Sequence, residues 1–258
     1  MSGPRRPGFV MSMVAAAFVL AAAGACATVG APTPSNLRTF RTVGIVSAVG
    51  DELTFTRAGL VGPDSPTRRY SIEPWGIDDL IVGRTGALLS RHFQVQPVIY
   101  RRTSFTGHEQ ASPVTIVNLL RDDPIKELVR TEVSPRGLDA YVVITKATAA
   151  YGSRGRTVAG VGIISHDAVL SSYTQLHALY AIRLIDGHDF KVIDKRSAAP
   201  PDNSDMVRLE GPSRLLDSSL VPATGDAAGN QALKAAVTDL IEHSLEPTLQ
   251  DLRLVDRT

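Results

Sequence analysis

Several short segments of the chain alternate apolar and polar residues or form apolar runs of strand length. Alternation with a period of two indicates a strand, because successive strand side chains point to opposite faces of a sheet. The segments with these patterns are 41–49, 53–57, 69–73, 95–100, 138–145, 175–185 and 190–195. The last two flank Asp186-Gly187, which is typical of a hairpin turn. The pattern therefore predicts a protein with several strands and at least one hairpin.

Three other segments carry apolar residues at helical spacing. The first follows Pro74-Trp75-Gly76, with a cap near Asp78 or Asp79, and runs to about Phe93. The second begins at Asp123-Pro124, where aspartate predicts the cap and proline the first turn. The third begins near Gln231, and Pro247 is expected to kink or end it.

The order of these elements predicts an α/β fold. We expect a mixed sheet of about five to seven strands, flanked by two or three helices. Residues 198–229 are polar and rich in proline, so they are predicted to form a loop-rich insertion. The body, 39–258, is expected to be a single α/β domain.

The N-terminal residues have the layout of a secretion signal. Arg5 and Arg6 precede an apolar run that ends in small residues at Cys26, the only cysteine in the chain. The segment Leu20-Ala-Ala-Ala-Gly-Ala-Cys26 resembles the lipobox of bacterial lipoproteins. That resemblance implies that 1–25 is removed as a signal peptide and that Cys26 is acylated, as with palmitate. Ala27 in the second mature position then favours the outer membrane, facing the periplasm.

Two other interpretations of this segment stay open. Ala25-Cys26-Ala27 also fits ordinary signal cleavage, which would release a soluble secreted or periplasmic protein. The apolar run could instead remain as an uncleaved membrane anchor. After Cys26, Pro32 and Pro34 interrupt a small polar segment, so 26–38 is predicted to be a flexible tether.

Net charge excludes one class of partner. The chain has 27 basic and 26 acidic residues, so it is close to neutral. A neutral body is not built for non-specific contact with a nucleic acid backbone, and we expect no nucleic acid partner.

Motifs for catalysis or metal binding are missing from the sequence. It has no His-Glu-x-x-His, no Gly-x-Ser-x-Gly and no phosphate-binding loop, so we expect no metal and no cofactor. His166-Asp167 and His188-Asp189 place an imidazole beside a carboxylate, as a general base requires. Sequence neighbours on a strand point to opposite faces, however, so a structural role is favoured for both pairs.

Two features are candidates for contact with a ligand or partner. The glycine-rich segment 152–166 contains Arg154 and Arg156, which would suit an anion. The same segment could form a membrane-inserting hairpin of a pore, but we favour a loop followed by a buried strand. Trp75 is most simply a core residue, whereas an exposed Trp75 would indicate an anchor for a partner.

The element order, and phrases such as Tyr180-Ala-Ile-Arg-Leu-Ile-Asp-Gly187, resemble the small α/β domains of bacterial envelope lipoproteins. Examples are the curli-secretion lipoproteins and the auxiliary lipoproteins of lipid transporters. The resemblance implies a non-enzymatic binding, adaptor or assembly component that is held at the membrane by its lipid. Its partner would be another envelope protein or a second copy of the chain. The alternatives are a periplasmic hydrolase with a His/carboxylate site and a subunit of an oligomeric secretion channel.

Overall fold

The structure is a computed structural model that describes residues 40–59, 67–111, 123–151, 156–167, 172–200, 209–222 and 227–256. The signal segment, the tether and Cys26 lie outside these residues. The strands are β1 (Thr42–Ala48), β2 (Glu52–Gly59), β3 (Thr67–Ser71), β4 (Gln94–Gln96), β5 (Gln110–Ala111), β6 (Ala140–Tyr151), β7 (Arg156–Asp167), β8 (Ser172–Asp186), β9 (Val192–Ser197) and β10 (Ser213–Leu216). The α-helices are α1 (Ile77–Leu89), α2 (Ile125–Glu132) and α3 (Gln231–Asp251).

The strands form one mixed sheet with the order β3-β2-β7-β8-β6-β1-β4. The β2–β7, β1–β6 and β1–β4 pairs are parallel, whereas β2–β3, β7–β8 and β6–β8 are antiparallel. Strand β5 joins β6, and both β9 and β10 join β8. The predicted α/β class, the mixed sheet and the hairpin after β8 are confirmed.

Strand β8 is long enough to pair with different strands along its two halves. Residues 172–179 lie between β7 and β10, and residues 180–186 lie between β6 and β9. Strand β7 pairs with β6 up to Ala159 and with β8 from Gly160 onward. Gly160 has a φ of +59°, a conformation that glycine adopts without a Cβ clash. The glycine thus fits the position where β7 exchanges partners.

Helices α1 and α3 cover one side of the sheet, which we call the helical face. Its core is apolar, and alternate residues of β8 from Leu176 to Leu184 point into it. From α3, Leu233, Val237, Ile241 and Leu245 pack against them. Tyr180 is the polar exception in this part of β8, and its hydroxyl makes a 2.8 Å hydrogen bond with Ser244 Oγ. These contacts join helix to sheet by burial of apolar area.

Helix α2 packs on the opposite side, which we call the mixed face. Ile125 and Val129 of α2 contact a cluster that includes Tyr141, and a separate apolar cluster surrounds Leu179. Arg183 lies on β8 between the two clusters. Its charged partners hold this face together.

Arg183 Nε donates to Asp123 Oδ2 at 2.7 Å, and Lys195 Nζ donates to the same oxygen at 3.3 Å. All three side chains are at least 95% buried. Burial raises the pKa of Asp123, but Arg183 and the Ile125 N–H outweigh that effect, so the pKa lies below its ordinary value. The N-cap of α2 is Pro124, one residue after the predicted cap Asp123, although the Asp123 carboxylate accepts a hydrogen bond from the N–H of Ile125.

Asp78 does not cap α1 as predicted. The helix begins at Ile77, after Gly76 in a left-handed conformation, which leaves Asp78 inside the first turn. Its buried carboxylate instead accepts hydrogen bonds from Ser47 Oγ at 2.7 Å, Val49 N at 2.8 Å and Gly50 N at 3.2 Å. The side chain therefore fixes the turn between β1 and β2 against the helix.

Three other expectations need correction. The strand predicted at 95–100 is limited to Gln94–Gln96, because Pro97 cannot donate to a ladder. Helix α3 does not end at Pro247; Thr248 and Leu249 beyond it are buried, and Thr248 Oγ1 donates to Ser244 O at 2.6 Å. The insertion 198–229 contains strand β10, whose short SRLL sequence carries little periodicity.

Candidate partner-binding groove

An apolar groove of about 720 Å³ lies at the edge of the sheet, where β4 ends beside α1. Helix α1 contributes Asp79 and Val82, and the chain that leaves β4 forms the opposite wall. The lining residues are Ile45, Asp79, Val82, Val95, Gln96, Pro97, Val98, Ile99, Tyr100 and Arg102. A concave surface of this size, with a few polar groups at its rim, is typical of a binding site.

Tyr100 forms the floor of the groove by closing the edge of β1. Strand β4 pairs with β1 only as far as Gly44, so among the described residues no strand lies beside the backbone of Ser47 on the side away from β6. The Tyr100 hydroxyl accepts a hydrogen bond from Ser47 N at 3.0 Å and donates to Ser47 O at 3.1 Å. Its ring packs edge-to-face against Phe105, with centroids 5.9 Å apart. The side chain thus takes the place of a missing strand.

Ile99 projects from the rim of the groove and is 80% exposed. Its backbone is fixed, because Ile99 N donates to Ser134 O at 2.6 Å and Ser134 N donates back to Ile99 O at 3.0 Å. Val98 and Tyr100 on either side pack into the mixed-face core. Extended backbone alternates, so the residue between them must point outward. An outward apolar side chain on fixed backbone cannot withdraw from water by a local rotation into the core.

The rim of the groove carries both signs of charge. Arg102 and Asp79 form an ion pair, and their side chains are 48% and 73% exposed. Beside them, strand β4 has only three residues and is followed by Pro97, which is how natural proteins blunt an edge strand against pairing. The groove is therefore built for side-chain contacts and not for addition of a strand.

A second groove, of about 800 Å³, lies between α1 and α3. Arg84 of α1 and Glu242 of α3 meet there, with Nε and Oε1 2.6 Å apart. The lining also includes Arg91, His243 and Glu246, so its chemistry is mainly that of solvated charge. Exposed ion pairs of this kind contribute little free energy, and we favour the apolar groove as the binding site.

The candidate contact residues named from the sequence do not converge on either groove. Trp75 is 4% exposed, packs in the helical-face core and donates from Nε1 to Ala228 O at 2.9 Å. Trp75 is therefore a core residue, as the simpler of the two interpretations predicts. Arg156 is half-buried at the start of β7, opposite Tyr151 of β6. Cys26 and Arg154 lie outside the described residues.

The histidines of the two histidine–aspartate neighbours lie in different surroundings. His188 Nε2 lies 3.8 Å from Asp139 Oδ1, on a side chain that is 71% exposed. Asp139 is already engaged: its Oδ2 accepts from the N–H groups of Arg41 and Thr42, each at 2.8 Å. The Thr42 and Arg41 N–H groups lower the pKa of Asp139, which makes it a poor base. His166 instead stacks on Tyr173, with ring centroids 4.2 Å apart.

His177 is strongly perturbed by burial in the fold, and its sequence context gave no sign of this. It is fully buried on the mixed face, with Nδ1 3.0 Å from Gly160 O. Burial lowers its pKa to about 4, so the ring is neutral and Nδ1–H is the donor. Gly162 lies beneath the ring, where a Cβ would come within 2.6 Å of Nε2. This is a packing arrangement with no opening to a groove described above.

Ile99 is the site residue that sequence reasoning missed. A signal for it exists in Val98-Ile99-Tyr100, where three apolar residues follow one another in an extended segment. Alternation requires one of them to face water, and such a residue is a candidate contact. Among the described residues, no group of three or more His, Cys, Asp or Glu side chains is placed to hold a metal ion. No helix in the same part of the chain is long and apolar enough to cross a membrane.

No protein-family model and no curated protein matches the chain. Lipoprotein GNA1162 from Neisseria meningitidis is 16% identical, with 78% of this chain and 97% of that chain covered and a TM-score of 0.25. Protein XCC0632 from Xanthomonas campestris, of family DUF330, is 11% identical, with 83% and 88% covered and a TM-score of 0.31. At these TM-scores the similarity carries no argument about function.

Proposed function

We propose that this protein is a bacterial envelope lipoprotein that acts by binding a protein partner and not by catalysis. Acylated Cys26 holds it at the membrane, in the outer membrane facing the periplasm, and the apolar groove beside α1 is its binding surface. The observation that carries the binding role is Ile99, an 80% exposed apolar side chain on fixed backbone at the groove rim. A contiguous exposed apolar patch beside a concave surface is typical of a protein interaction site, and the lining residues Val82, Val95 and Val98 extend Ile99 into such a patch.

The anchor is supported by the sequence around Cys26. Gln94 N donates to Arg41 O at 2.7 Å, so β4 lies directly beside the start of β1. The groove follows β4, so a partner bound there would lie at the β4 edge of the sheet.

The alternative of a hydrolase is less well supported because its residues have other roles. Asp139 accepts a hydrogen bond from Thr42 N at the start of β1, and the His188 side chain is 71% exposed. The alternative of a pore hairpin is also less well supported. Strand β7 is paired with β2 on one side and with β8 on the other, and Val161, Ile163 and Ile164 are buried. A lipid-facing strand would expose alternate apolar side chains.

Fractionation of cells tests the anchor. We expect the wild-type protein in the membrane pellet, resistant to high salt and released by detergent. Cys26→Ala removes the acylation site but keeps small residues for ordinary cleavage, so that variant should move to the soluble periplasmic fraction. A wild-type protein that is soluble, or a Cys26→Ala variant that pellets equally, would contradict the proposal.

A further inference from the structure

We propose that the partner of the apolar groove is a second copy of this chain, in a two-fold symmetric dimer. This inference rests on the proposed binding function and names its partner. A two-fold interface uses the same patch on both copies, so the patch must be complementary to itself. The groove edge meets this requirement in both shape and charge.

The shape requirement is met because the patch contains both a projecting group and a recess. Ile99 stands out at the rim, and the groove beside it is walled by Val82, Val95 and Val98. In a two-fold arrangement, Ile99 of each copy enters the groove of the other. Burial of one exposed isoleucine side chain is favourable because it removes apolar area from water, and the symmetry makes that contribution twice.

The charge requirement is met because Asp79 and Arg102 both lie at the rim. A two-fold axis between the rims places Arg102 of each copy near Asp79 of the other. The four charges then form an alternating cluster and not a like-charged contact. A partner with a uniformly acidic or basic surface would satisfy only half of this rim, which is why a second copy is favoured over such a partner.

The backbone around the patch explains why the contact depends on side chains. Strand β4 is three residues long and Pro97 follows it, so two copies cannot extend one sheet across the axis. Fixed positions for Ile99 and Tyr100 mean that little conformational entropy is lost on docking. Confinement of lipid-anchored copies to one membrane surface raises their effective concentration, so a small interface suffices there.

Site-specific photo-crosslinking in membranes tests the identity of the partner. The full-length, lipidated chain is co-expressed in two versions with different epitope tags, and p-benzoylphenylalanine replaces Ile99. We expect a product of twice the chain mass that carries both tags. The matched control replaces Leu215, which is 53% exposed on β10, and should give at least tenfold less of this product. A product that contains a different protein, or no product from position 99, would overturn the inference.

A charge exchange tests the symmetry. Asp79→Lys and Arg102→Glu each place like charges across the axis, so each variant alone should lose at least tenfold in self-association. When the two variants are co-expressed, each mixed pair regains two opposite-charge contacts, and association should return to near the wild-type level. Circular dichroism of each variant checks that it is folded. Failure of the folded mixture to associate would overturn the two-fold model.

The outcomes separate this inference from the proposed function. A chain that is acylated at Cys26 but monomeric in the membrane overturns only the dimer. A soluble chain that dimerises through Ile99 overturns the anchor and leaves the dimer intact.

Discussion

The two faces of the sheet are stabilised in different ways. On the helical face, α1 and α3 bury aliphatic side chains, and the hydroxyls of Tyr180, Ser244 and Thr248 make local hydrogen bonds. On the mixed face, two apolar clusters are separated by Arg183, Asp123 and Lys195. The helical face should therefore tolerate changes of side-chain shape, whereas the mixed face depends on particular charged and small residues.

Neighbouring residues of β8 test this difference most strongly. Arg183 points to the mixed face and Leu184 to the helical face. Arg183→Met keeps a long apolar stem but removes the main partner of buried Asp123, and we expect a loss of roughly 3–5 kcal/mol in the free energy of unfolding. Leu184→Met conserves volume and should cost less than about 1.5 kcal/mol.

Urea unfolding of the two variants under the same conditions gives both values. Equal losses would mean that the buried charges are no more critical than the aliphatic core, and the distinction between the faces would fail.

His177 gives the mixed face a pH dependence. Its pKa is about 4 in the folded protein because of burial, below the ordinary value of 6.5. Between pH 6.5 and about pH 4 the unfolded chain binds a proton at His177 more readily than the folded chain does. The free energy of unfolding therefore falls as the pH falls through this range. The expected decrease in the free energy of unfolding is roughly 3 kcal/mol by pH 4. Above pH 6.5 this group contributes no pH dependence.

Chemical unfolding at pH 7, 5.5 and 4.5 measures the effect. His177→Gln keeps a donor for Gly160 O but does not titrate, so its stability should decline less over the same range. His188→Gln, at a side chain that is 71% exposed, is the matched control and should follow the wild type. If His177→Gln also follows the wild type, another group is responsible for the pH dependence.

Two glycine substitutions are expected to change the stability by smaller amounts. A Cβ at Gly162 would lie 2.3 Å from Thr54 Oγ1 and 2.6 Å from His177 Nε2, so Gly162→Ala should cost roughly 1–3 kcal/mol. A Cβ at Gly83, in α1, would meet no atom within 4 Å, and Gly83→Ala should stabilise by about 0.5–1 kcal/mol. Thermal unfolding of both variants should show shifts of opposite sign, and a shift of the same sign would refute the packing described at Gly162.

The helical face was largely predictable from the sequence, because burial against α1 and α3 imposes the periodicities of 3.6 and 2 on apolar residues. The pattern from Leu233 to Leu245 is an example. The charged contacts of the mixed face were not predictable. Arg183 lies within an apolar strand and looks like a solvated charge until Asp123, 60 residues earlier, is brought beside it. No local pattern records such a contact.

The groove was missed for a related reason. Its floor depends on Tyr100 reaching Ser47, a contact across 53 residues, and its rim depends on the bridge that fixes Ile99. The segment Val98-Ile99-Tyr100 predicts a strand from composition alone, but Pro97 ends the ladder and turns these residues into a groove wall. The signal segment and tether remain predictions from the sequence.

Intact-mass analysis of the full chain, purified from bacterial membranes, tests the lipid anchor at Cys26. We expect a mature protein that begins at Cys26 and carries the added mass of acyl groups on that residue. A mass that begins at Thr28 with no acyl addition would contradict it, because the protein would then be soluble and its groove would not be held at a membrane surface.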